Sequence, residues 1–78
     1  MTVFEQAMYE AALRIWRRVT SRHMTETVAR SLSRRMHLAA DAITDEKIIY
    51  ELRSLAMEAA ILANKIAESD VPKKGRRP

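Results

Sequence analysis

From Ile48 to Ile66 apolar residues recur at spacings of four, three, four, three and four: Ile48, Leu52, Leu55, Ala59, Leu62 and Ile66. A second row, Ile49, Ala56, Ala60, Ala63 and Ala67, runs beside it. At about 100° per residue the two rows cover roughly 160° of a helix surface, and Tyr50, Met57 and Ile61 widen the apolar arc past half the circumference. A helix of that kind must be surrounded. A chain of 78 residues has little else to surround it with, so the pattern predicts self-association or a tight partner.

The rest of the chain is equally helical in character. Glycine occurs once and proline twice, all between Pro72 and Pro78, so residues 1–71 lack the punctuation that strands and hairpins need. A domain this small buries only about 60% of the surface its unfolded chain exposes. With no cysteine to staple it, helix packing and oligomerisation are the remaining sources of stability.

Three helices follow from the local signals. Thr2 and Glu5 form a capping-box pattern ahead of the row Phe4, Met8, Ala11, Ala12, Ile15 and Val19, which predicts a helix over about 3–21. The next row, Val28, Leu32, Met36, Ala39 and Ile43, is rotated by roughly 120° from the first if the helix is continuous. That phase jump argues for a break near residues 21–26, with Thr25 as N-cap and a second helix over about 25–43. Thr44 and Asp45 cap a third helix over about 45–69, which Pro72 stops.

The expected fold is therefore all-α. A helical hairpin and a long third helix make one domain over residues 1–71, which assembles as a helical bundle, a homodimer, and carries a disordered basic tail over 72–78. The surface expected to pair copies is Ile48, Ile49, Leu52, Leu55, Ala56, Ala59, Ala60, Leu62, Ala63 and Ile66, whose alanines allow close helix approach. Asn64 sits beside that arc, at a boundary with water.

Charge is segregated along the chain. Residues 11–38 carry seven arginines against Glu26, a net of +6, whereas residues 39–71 carry Lys47, Arg53 and Lys65 against seven acids, a net of −4. Such asymmetry steers an anionic partner or sets the packing of one copy against another. Arg14, Arg17, Arg18, Arg30, Arg34 and Arg35, with Lys73, Lys74, Arg76 and Arg77 of the tail, form the candidate surface for a protein or nucleic acid of acidic character. Trp16, beside Arg17 and Arg18, is either a stacking platform for a base or, with Tyr9 and Leu13, part of a second apolar row that belongs to the core. Glu26 with Arg30, Arg34 with Asp41 and Lys47 with Glu51 have the spacing of ordinary surface pairs.

A helix-turn-helix over Thr25 to Leu52 fits poorly, since Ser33 stands where a turn glycine is expected and the apolar row runs through that position. His37 and Asp41 share a helical face, yet two ligands do not make a metal site. No cysteine, Gly-rich phosphate loop or His-Glu-x-x-His pair is present, so no catalysis, cofactor or small-molecule substrate is expected. The longest uninterrupted apolar run, Ala59 to Ala63, is far short of a membrane span, and the N-terminus lacks a basic start and apolar stretch. A cytoplasmic location is expected. The functional expectation is a small, self-associating regulator, inhibitor or adaptor that binds another macromolecule, with nucleic-acid binding as the alternative.

Overall fold

The computed structural model describes residues 1–70 as three helices, α1 (Val3–Thr20), α2 (Glu26–Asp41) and α3 (Glu46–Asp70). No strand occurs among the described residues, and no helix there is long and apolar enough to cross a membrane. The expected tail over 72–78 lies outside the described residues.

Each boundary has a chemical cause. At the start of α1 the capping box is complete: the Glu5 N–H donates to Thr2 Oγ1 at 3.1 Å and the Thr2 N–H donates to Glu5 Oε1 at 2.9 Å. The break after α1 needs no glycine, because hydroxyls satisfy the last carbonyls. Thr20 donates to the Trp16 carbonyl at 2.6 Å and Ser21 to the Arg18 carbonyl at 2.9 Å. Thr25 then caps α2 by accepting from the Val28 N–H at 3.2 Å. α2 ends at Asp41, two residues before the expected boundary, and its last turn tightens, with the Ala42 and Ile43 N–H groups donating three residues back. Ile43 leaves the helix but still drops into the core. Asp45 starts α3 by accepting from the Lys47 and Ile48 N–H groups at 3.0 and 3.2 Å.

α2 and α3 run antiparallel and form the closest pair in the molecule. The Ser33 hydroxyl donates to the Ala56 carbonyl at 2.8 Å, and Arg30 reaches Asn64 at 3.2 Å, so early α2 faces late α3. Ala29, Ala39 and Ala40 of α2 and Ala56, Ala59 and Ala63 of α3 are all buried, and such small side chains permit the near approach of the two helices. Met36 and Leu52 are the large side chains fully enclosed there. Ala29, rather than Val28, takes the first inward position of α2, and Val28 stays at the edge.

α1 runs alongside α3 in the same direction and antiparallel to α2. Only Ala12 and the carboxylate-bearing Glu5 are buried on it, while Met8, Tyr9, Ile15, Trp16 and Val19 rest half-buried against the core. These bulky side chains hold α1 farther from its neighbours than α2 lies from α3.

Candidate functional site: grooves and arginines around helix α1

Two polar contacts fix where α1 sits. Glu5 is 6% exposed, and its Oε2 accepts from the Thr44 N–H at 2.6 Å and the Thr44 hydroxyl at 2.8 Å. The donors from Thr2 and Thr44 stabilise the ionised carboxylate and lower its pKa from 4.5 to about 2. One residue therefore closes its own helix cap and latches α1 to the turn between α2 and α3. Farther along, the Tyr9 hydroxyl donates to both Glu51 carboxylate oxygens at 2.9 Å, and this bond raises the phenol pKa. Glu51 is thus engaged across the bundle rather than reserved for Lys47.

With α1 held by two polar contacts in its N-terminal half and by its large side chains, a groove is left between α1 and α2. It has a volume of about 460 Å³ and a floor of Met8, Ala11, Ala12, Ile15, Leu38 and Ala39, with Ser31, Arg34 and Arg35 on the α2 side. A second depression of about 210 Å³ shares Ile15, Ser31 and Arg35 with the first and extends it to Val19 and Val28. The two form one trough along the α1–α2 seam. On the other flank of α1, Trp16 and Thr20 face Ala59, Ile61, Leu62 and Lys65 of α3 across a further groove of about 380 Å³.

The expected binding arginines are exposed but do not form a single face. Arg30 lies on the α2–α3 side, bound to Glu26 at 2.8 Å and to Asn64. Arg34 and Arg35 line the α1–α2 trough. Arg14 and Arg18 are exposed on α1 and do not line the trough. The charge of Arg17 acts on Tyr9. Asp41 is 3.7 Å from Arg53, not paired with Arg34 as its spacing suggested, because the antiparallel α3 brings Arg53 beside the end of α2. Exposed pairs of this kind contribute about 0.2–1 kcal/mol. Among the described residues only Arg30 and Arg53 stand within ion-pair distance of an acid. Lys73, Lys74, Arg76 and Arg77 lie outside the described residues.

The expected pairing surface of α3 divides in two. Leu52, Ala56, Ala59 and Ala63 are enclosed by the chain's own helices, and Ile48, Ile49, Leu55, Ala60 and Ile66 are half-buried. Leu62 remains at the surface. The outer residues of the arc are the open ones: Tyr50, Met57 and Ile61 are 76%, 64% and 50% exposed. Trp16 packs against the core and Asn64 is exposed. α2 is continuous through Ser33, which rules out a turn there. Among the described residues no group of three His, Asp or Glu side chains is placed to hold a metal ion.

Two participants were not singled out by sequence pattern. Thr44 read only as a cap residue, and nothing local links it to Glu5. Leu38 falls outside the periodic row of α2, on the face of Ser31 and Arg34, and that misplacement of a leucine on a basic face was the available signal. No protein family, curated protein or solved structure matches the chain.

Proposed function

We propose that this chain is a non-catalytic helical interaction protein that self-associates and acts as a regulator, inhibitor or adaptor by binding another macromolecule. The observation that carries this reading is the apolar surface left open after the three helices have packed. Tyr50, Met57 and Ile61 recur at i, i+7 and i+11 on α3 and form an exposed stripe about 16 Å long. Copies pair through this stripe and the adjoining Leu62, since the inner row of α3 is already occupied by α2. Sedimentation equilibrium in the micromolar range tests it. The wild type gives a mass that rises above 9.0 kDa with concentration, and Met57→Glu with Ile61→Glu returns it to that value. A mass that stays at the single-chain value at every concentration overturns self-association.

A second reading is favoured by one observation, that Arg14, Arg17, Arg18, Arg34 and Arg35 have no acidic partner among the described residues. On that reading the protein binds nucleic acid through phosphate neutralisation. It predicts a mobility shift of a DNA or RNA oligonucleotide at about 50 mM salt that weakens steeply as salt rises. The absence of a shift under those conditions removes it.

A further inference from the structure

We infer that the trough between α1 and α2 is a docking site for an amphipathic helix of another protein, apolar on one face and flanked by acidic residues. The inference rests on the reading of this chain as an interaction protein and names the chemistry of one partner. Three features of the trough carry it.

The first is its floor. Met8, Ala11, Ile15 and Leu38 are apolar, and Leu38 is 59% exposed although nothing in its own helix requires a leucine there. A bound apolar face would withdraw these side chains from water. A phosphate backbone has nothing to place against them, which separates a helix from a nucleic acid as occupant.

The second is charge. The charged side chains lining the trough are Arg34 and Arg35, and no acid lines either of its two parts. Neither arginine has an acidic partner among the described residues, so a ligand entering the trough meets two cations on its α2 lip, and glutamate or aspartate flanks complement them. The third is length. Met8 to Val19 spans twelve residues of α1, a rise of about 16 Å, which accommodates three turns of a helix presenting apolar residues at i, i+4 and i+7.

The test uses the full chain and a fluorescein-labelled synthetic helix-forming peptide of about four turns, with leucines at i, i+4 and i+7 and glutamates beside them. A second peptide carries lysines in place of the glutamates, and a short DNA duplex is the third ligand. The expected result is saturable binding of the glutamate peptide with a Kd on the order of 10 µM, as fits a contact smaller than a standard interface. Amide shifts should concentrate on residues 8–19 and 28–39. Leu38→Glu, at an exposed position, weakens binding about tenfold or more. Arg34→Glu with Arg35→Glu abolishes binding of the glutamate peptide and confers binding of the lysine peptide, a reversal that loss of folding cannot produce.

Lack of glutamate-peptide binding, shifts confined to the Tyr50–Ile61 stripe, or DNA displacing the peptide from the same amides overturns the proposal. Sedimentation of the same samples separates the failures. If copies still associate while no peptide binds, the trough assignment falls and the interaction reading stands; if neither occurs, both fall.

Discussion

The α2–α3 seam and the seats of α1 solve the same packing problem with opposite materials. Between α2 and α3, alanines on both sides bring the backbones together and enclose Met36 and Leu52 completely. Around α1, half-buried Met8, Ile15, Trp16 and Val19 act as spacers, and two polar contacts at Glu5 and Tyr9 set the helix in place. Close packing leaves no room for a ligand. Spaced packing leaves grooves on both flanks of α1, and Arg34 and Arg35, without acidic partners among the described residues, line one of them. The stable frame and the binding surface are thus different helix pairs in a very small chain.

Substitutions should separate the two regions by size of effect. Leu52→Ala empties a fully enclosed site in the α2–α3 seam and should lower unfolding free energy by about 3 kcal/mol, measured by urea denaturation. Leu38→Ala, on the floor of the trough, should change it by less than about 0.5 kcal/mol. Equal losses at the two positions would erase the distinction between frame and groove.

Glu5→Gln sharpens the comparison from the α1 side. It should lower the thermal midpoint near neutral pH, by roughly 5 °C or more, because a buried acceptor of three hydrogen bonds is replaced. The sign of its pH dependence is fixed. Folding lowers the Glu5 pKa from 4.5 to about 2, so its contribution is complete above pH 4.5 and is lost as pH falls towards 2. The gap between wild type and variant should therefore narrow over that interval, and a gap that stays constant would mean that the carboxylate charge is not what latches α1. A modest effect belongs to the cap of α2. Thr25→Ala removes one exposed hydrogen bond and should cost about 1 kcal/mol, read by the same denaturant titration.

What could be read from sequence follows the reach of each signal. Capping chemistry and apolar phase are local, so Thr2, Thr25 and Asp45 marked the helix starts closely, and the phase jump located the break after α1. Tertiary assignment needed more. The wide apolar arc of α3 pointed to a second chain, yet α2 covers the inner half of it because alanines on both helices allow an approach that row spacing alone does not reveal. Asp41 pairs with Arg53 across the turn, a relation invisible at i, i+4 or i, i+7. Glu5 and Thr44 are far apart in the chain, and either looks complete as a cap residue. Leu38 was legible only as an exception to its row.

The most direct measurement of the two-part account is native-state amide hydrogen exchange across the chain. Amides of α2 and α3 in the stretches 32–40 and 52–63 should exchange together and slowest, at the rate of global unfolding. Amides of α1 from Met8 to Val19 should exchange at least about tenfold faster, because that helix can lift from its grooves while the alanine seam stays closed. If α1 is as protected as α2 and α3, the three helices open as one unit and the division into frame and binding wall is contradicted.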